Sequence, residues 1–254
     1  MNAALERFTI RSFLGASIHA VTLEQATQIC REAVVSHEPL TVGVVNSAKL
    51  VKMSSDAWLR DSVLGSDLIV ADGLPVVWAS RILGEPLPER VTGIDLFENL
   101  LELANREGFS VYFLGASQEV LDEMLRRIGE RYPGLRRAGS RNGYFDEDET
   151  DIVVEEIRAA APDLLFVGIS TPKKERFLKR CGEMLSVPVC HGVGGSFDVT
   201  AGLTRRAPVL WQKAGLEWFY RLLQEPRRMW RRYLSTNSAF IAMVAREWFR
   251  KKLG

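Results

Sequence analysis

Five short apolar runs punctuate the middle of the chain: TVGVVNS (41–47), LIVA (68–71), SVYFLGA (110–116), DLLFVGI (163–169) and VPVCHGV (187–193). They are rich in β-branched and aromatic residues and do not alternate polar with apolar, as strands covered on both faces do not. Between them, apolar positions recur at helical spacing over 47–60, 73–83, 94–107, 117–131 and 172–185. Strands alternating with helices predict an α/β protein, with a Rossmann-like, mostly parallel sheet flanked by helices. Two smaller pieces fit around it. RRAGSRNGYF (136–145) reads as a short strand and a turn at Asn142-Gly143, and FTIRSFLGASIHAVTLEQATQIC (8–30) as a strand, a turn and a helix. Thr22 followed three residues later by Gln25 has the form of a capping box for that helix.

After about residue 203 the pattern changes to helical, basic and aromatic, with four of the six tryptophans. The chain therefore divides into an α/β domain, 1–203, and a C-terminal basic helical appendage, 204–254. The net charge of +1 hides this division: residues 205–254 carry +9 and the rest about −8. A field acts locally, so the asymmetry matters more than the total. Within EWFYRLLQEPRRMWRRYL (217–234), Arg221, Arg228 and Arg231 share one helical side and lie among Trp, Phe and Tyr. That mixture suits an anionic membrane surface. Packing on the body or on a second copy is the competing reading. Nucleic acid is disfavoured, since no recognition motif accompanies the charge.

Cys30, Cys181 and Cys190 form no CxxC and suit a reducing cytoplasm. The opening MNAALERFTI has no apolar signal core, and no run reaches the length of a membrane span. The expected location is cytoplasmic, with any membrane contact made from one side.

Parallel sheets bind ligands beyond the carboxyl ends of their strands. Asn46, Asp72-Gly73, Gly115 and HGVGGSFD (191–198), with Gly194, Gly195 and Asp198, all fall there. Asp72 can cap the helix at 73–83, act as a general base, or do both. Arg90 is either a solvated loop residue or a bidentate clamp on phosphate. In GISTPKKERFL (168–178) Ser170 or Thr171 would cap a helix beginning at Pro172. Lys173 and Lys174 then lie near the same edge, as surface charge or as ligand contacts. His191 has no His/Cys partners in sequence, so a metal site is not indicated and a satisfied core histidine is expected. No GxGxxG, GxxxxGK[ST] or GxSxG motif occurs.

The ordered segments ADGLPVV, ERVTGIDL, YFLGA, GYF, PDLLFVGISTPKKE, GVGGSFDVTAG and RRAPVLWQKAGLEWFYRLLQEPRR resemble the WecG/TagA/CpsF bacterial glycosyltransferases, over residues 10 to 240. The resemblance implies an inverting transferase without metal or cofactor. It would move a hexosyl or N-acetylhexosaminyl group from a UDP-sugar to a polyprenyl-diphosphate-linked sugar in cell-envelope or exopolysaccharide synthesis. The protein would be peripheral on the inner face of the cell membrane and would self-associate. By the same resemblance Asp72 is the general base and Arg90 steadies the leaving diphosphate. Asn46, Gly73, Gly115, Lys174, Gly194, Gly195 and Asp198 bind substrate, while Arg221, Arg228 and Arg231 meet the acceptor or the membrane. Three residues depart from the family pattern: Lys174 stands where Gln is usual, Val44 where Thr is, and Pro75 where Gly is. They leave the transferred sugar open. The competing functions are a nucleotide-sugar epimerase or dehydrogenase, for which a glycine fingerprint is missing, and a non-catalytic scaffold of an envelope polysaccharide complex.

Overall fold

The computed structural model describes residues 5–213, 215–224 and 226–253. An antiparallel hairpin, β1 (Ile10–Phe13) and β2 (Ala16–His19), comes first. Leu14 and Gly15 both have positive φ, the geometry of a tight turn matched to strand twist. Helix α1 (Leu23–Ser36) follows, and the expected capping box is present: Thr22 Oγ1 accepts from Gln25 N while Gln25 Oε1 accepts from Thr22 N.

The body is one parallel sheet of β3 (Leu40–Val45), β4 (Leu68–Ala71), β5 (Ser110–Gly115), β6 (Arg136–Arg141), β7 (Leu164–Gly168) and β8 (Val189–Gly192). Their spatial order is β4-β3-β8-β7-β5-β6, and every pairing is parallel. This is the α/β, Rossmann-like architecture that the strand-helix alternation predicts. All five apolar runs are strands, each within two residues of the expected bounds.

Besides a second strand, β2, where one strand is expected, and a short helix at 196–200, two features differ from expectation. The helix expected over 47–60 is two helices, α2 (Ser47–Met53) and α3 (Ala57–Leu64). Ser54 and Ser55 turn their hydroxyls back onto the carbonyls of Val51 and Lys52, and Asp56 starts the second helix by accepting from Leu59 N at 2.9 Å. A helix over Thr150–Ala160 has no counterpart among the expected helices, although Asp146 and Glu149 form a capping box just ahead of it.

The helices cover the sheet unequally. On one face lie α1, α5 (Gly93–Glu107), α6 (Gln118–Arg131) and the short α9 (Ser196–Thr200), packed in one core with Phe97, Phe113, Phe166 and Phe197 at its centre. The opposite face carries two separate cores. One joins the hairpin, α2, α3 and α4 (Leu74–Ile82) to β3 and β4. The other joins α7 (Thr150–Ala160) and α8 (Lys173–Leu185) to β5, β7 and β8. The chain leaves β3 toward this divided face and leaves the adjacent β8 toward the continuous one. Diverging connections of this kind open a crevice at the carboxyl ends of the two strands.

After residue 203 come α10 (Val209–Lys213), α11 (Glu217–Gln224) and α12 (Pro226–Leu253). The far half of α12 lies against the body: Phe240 is buried with the hairpin and α2, and Glu247 accepts from Leu14 N at 2.9 Å. Nearer the cleft, Trp211 stacks on Phe219 at 6.0 Å and Arg206 pairs with Asp95. Among the described residues no helix is long and apolar enough to cross a membrane.

Candidate active site

A cleft of about 1050 Å³ opens at the carboxyl ends of the strands. Asn46, Asp72, Lys174, Gly194, Gly195 and Asp198 line it together. Residues from β3, β4, β7 and β8, separated by up to 152 positions in sequence, thus meet at one edge.

Asn46 directly follows β3 and caps α2, its Oδ1 accepting from Lys49 N at 2.9 Å. Asp72 continues the line of β4, and its N–H donates to Val45 O at 2.8 Å. It does not cap the helix after it. The cap position is Gly73, at φ 98°, and carries no side-chain bond. A positive φ there turns the chain abruptly out of the strand, which glycine does at no steric cost. The carboxylate is therefore spared from capping and remains at the cleft wall.

Gly73 and Gly115 shape the edge without lining the cleft. Gly115 is needed for contact between strands: a Cβ there would come 2.5 Å from the backbone of Gly168. From the end of β8, Gly192 to Gly195 run along the cleft wall ahead of Asp198.

Lys174 is not a surface residue; it is 7% exposed. Burial, and then the like charge of Lys49, lower its pKa to about 8, against the pull of Glu175 and Asp72. Lys173 also turns inward, donating to Phe145 O at 2.5 Å with its ammonium over the Phe145 ring. Neither Ser170 nor Thr171 caps α8. The cap position is Pro172, and the Thr171 hydroxyl instead donates to Glu175 Oε1 at 3.1 Å.

His191 is fully buried. Its Nε2 lies 3.1 Å from Gly93 O, which requires the proton on that nitrogen, and its Nδ1 has no hydrogen-bond partner among the described residues. The expectation of a satisfied core histidine is met at one nitrogen only. Burial drives its pKa down to about 4, so the ring is neutral.

Arg90 is placed beside the cleft, not in its lining. Its guanidinium meets Glu217 Oε2 at 2.5 Å and Gln212 Oε1 at 3.2 Å, both from the appendage. Glu217 does line the cleft, so the appendage contributes a wall to it. The side chains of Arg221, Arg228 and Arg231 lie outside the described residues.

Among the lining residues that the predicted site omits, three bear on its chemistry. Tyr144, 80% exposed in the loop after β6, offers an aromatic face at the rim. Lys49 sits in the first turn of α2, and Glu217 lies in a segment whose pattern speaks only of charge and aromatics. Position at a strand end could have drawn attention to Lys49; Glu217 has no such signal.

A cleft at the switch point of a parallel sheet, lined by the Asp72 carboxylate, the buried Lys174 ammonium and a glycine turn, fits a group-transfer enzyme acting on an anionic ligand. Comparison with known proteins makes this specific. The model of the glycosyl transferase WecG/TagA/CpsF family matches residues 11–254, and the chain belongs to that family. It is 38% identical over 188 residues to the N-acetylglucosaminyldiphosphoundecaprenol N-acetyl-beta-D-mannosaminyltransferase of Bacillus spizizenii, covering 74% of this chain and 72% of that one. It is 35% identical over 187 residues to the protein of the same name from Bacillus subtilis strain 168, with the same coverage. The chain is a glycosyltransferase.

Proposed function

We propose that the protein transfers a sugar from a UDP-sugar to a polyprenyl-diphosphate-linked sugar, with inversion at the transferred carbon. The observation that carries this reading is the convergence of Asp72, Lys174 and the Gly192–Gly195 turn with Asp198 in one cleft. Asp72 accepts the proton of the acceptor hydroxyl as its oxygen attacks the anomeric carbon. The bond from that carbon to the donor diphosphate breaks on the opposite side, and the electron pair leaves with UDP. Positive charge at the departing diphosphate lowers the barrier. Lys174 supplies it from within the cleft; Arg90 adds to it once the diphosphate competes with Glu217 for the guanidinium. Tyr144 offers a face for the uracil ring, and Asp198 an acceptor for ribose or sugar hydroxyls.

Asp72→Asn tests the assignment. Transfer to a lipid-linked acceptor should fall by on the order of 10²–10⁴ while UDP binding stays near that of the wild type. Wild-type turnover in the purified variant would remove Asp72 from the role of base. A panel of UDP-hexoses and UDP-N-acetylhexosamines, read by the mass added to lipid, identifies the sugar.

The membrane side of the reading rests on the basic, aromatic appendage, which exposes Leu210, Leu223 and Trp230. We place the protein as a peripheral, self-associating enzyme on the cytoplasmic face. Deleting the appendage is a poor test, because Phe240 is part of a core. Replacing Arg221, Arg228 and Arg231 together by Gln keeps that core. It should weaken sedimentation with anionic vesicles by about 3 kcal/mol at low salt, roughly 1 kcal/mol per charge. Undiminished sedimentation would assign these arginines to packing instead.

A further inference from the structure

Beneath the cleft, the first turns of α2 and α8 bring three ionisable groups together. Lys49 Nζ lies 3.1 Å from Glu175 Oε1 and donates to Val44 O at 2.7 Å. Lys174 Nζ lies 3.6 Å from the same carboxylate oxygen, which also accepts from the Thr171 hydroxyl. Glu175 Oε2 is buried, with no hydrogen-bond partner among the described residues. Two ammoniums thus share one carboxylate, a local excess of one positive charge before the Asp72 carboxylate at the cleft wall is counted.

The geometry directs that excess. The stem of Lys174 lies across Gly192, where an added Cβ would come 2.7 Å from its Cδ. Its ammonium reaches the next part of the turn, 3.9 Å from where a Cβ of Gly194 would be. The charge is therefore held over a glycine turn in the cleft wall, where a phosphate can approach the backbone closely.

We infer that Lys49, Glu175 and Lys174 act as one unit that binds the β-phosphate of a nucleoside diphosphate through Lys174, whose charge is set by its two neighbours. The inference rests on the UDP-sugar reading above and adds Lys49 and Glu175 to it as positioning residues. The charged and titratable groups around Lys174 are Lys49 from α2, Glu175 from α8, Asp72 from the end of β4 and His191 from β8. Lys49 acts to remove the Lys174 proton, and Glu175 and Asp72 to keep it. His191 stays neutral across the working range. Glu175 itself is held charged: burial opposes this, but Lys174 and Lys49 together outweigh it and lower its pKa.

The test is calorimetric binding of UDP and of uridine to the full-length protein, between about pH 6.5 and 9.5. Wild-type affinity for UDP should fall as pH rises through about 8, where Lys174 loses its proton, while affinity for uridine holds. Lys174→Gln should lose about tenfold in UDP affinity at neutral pH and lack that fall. Unchanged uridine binding shows that the fold is intact. Lys174→Arg, which keeps the charge, should restore UDP binding without the fall. Removing the carboxylate in Glu175→Gln should shift the fall to lower pH, and removing the like charge in Lys49→Met should shift it to higher pH. A purely structural cluster would not move the two in opposite directions. If Lys174→Gln leaves the ratio of UDP to uridine affinity unchanged, or the two neighbouring variants move the fall together or not at all, the inference is overturned and the donor reading stands. If the wild type binds neither ligand, the donor reading fails and this one with it.

Discussion

The two faces of the sheet are built from alternate residues of the same strands, yet they pack in opposite ways. On the continuous face β3 presents Leu40, Val42 and Val44, and β8 presents Val189 and His191, all against large side chains. One residue along, β3 presents Thr41 and Gly43 and β8 presents Cys190 and Gly192. The divided face consequently has a cavity of about 570 Å³ between its two cores, lined by these four residues together with Ser66 and Gly182. Lys49, Glu175 and Lys174 form the end of that cavity nearest the cleft. A full-sized side chain at position 192 would occupy the path of the Lys174 stem. The fold thus keeps its stability on one face, which carries the continuous core, and gives packing up on the other, which makes room for charge beside the site.

Truncation on the continuous face should have the largest effect on stability. Phe166 is fully buried, with Phe97 edge-on at 4.7 Å and Phe113 at 5.9 Å. Phe166→Ala should cost about 3–5 kcal/mol in urea unfolding, through lost burial and the cavity left behind. A cost below about 1 kcal/mol would mean that this face can collapse and is no more tightly packed than the other.

His191 makes the continuous face sensitive to pH. It lies on the continuous face, edge-on to Phe166 at 6.2 Å. Its folded pKa, about 4, is below the ordinary 6.5 because burial disfavours the charged ring. The unfolded chain therefore takes up a proton between those values that the folded chain does not. Stability contributed by the neutral ring is present above pH 6.5 and is lost as pH falls toward 4, by up to about 3 kcal/mol. His19, also lowered by burial, contributes in the same direction. Unfolding curves at several pH values should thus show a shallower acid slope for His191→Asn than for the wild type. An unchanged slope would show that His191 is not held neutral by this core.

The parallel sheet was legible because its strands are buried on both faces and each run is long enough to read. The site was half legible. Asn46, Asp72, Lys174 and the Gly194–Asp198 turn follow from position at strand ends, which the topology then gathers into one cleft. The division of one face was not legible, since small residues at alternate positions read equally well as close packing. Pattern also could not show that Gly73, in place of Asp72, takes the cap position, which depends on a single φ. Nor could it show that Arg90 is met by Glu217, a contact spanning 127 positions between segments with separate local signals.

The smallest expected effect has the opposite sign and probes the cavity directly. Gly182 lies inside α8, where a Cβ would make ordinary contact with Thr41 Oγ1 at 3.8 Å and clash with nothing. Glycine in a helix interior costs about 0.5–1 kcal/mol relative to alanine. Gly182→Ala should therefore stabilise the protein by about that amount, since it gains helix propensity and enters empty space. Gly43 is the control on the same cavity wall. A Cβ there would come 2.7 Å from Ser66 Oγ, so Gly43→Ala should destabilise. Opposite signs for the two variants, read from urea midpoints at constant m-value, would establish that the cavity has room on the α8 side and none beside Ser66. Destabilisation by both would mean that the two cores close on each other in solution and that the faces differ less than their residues imply.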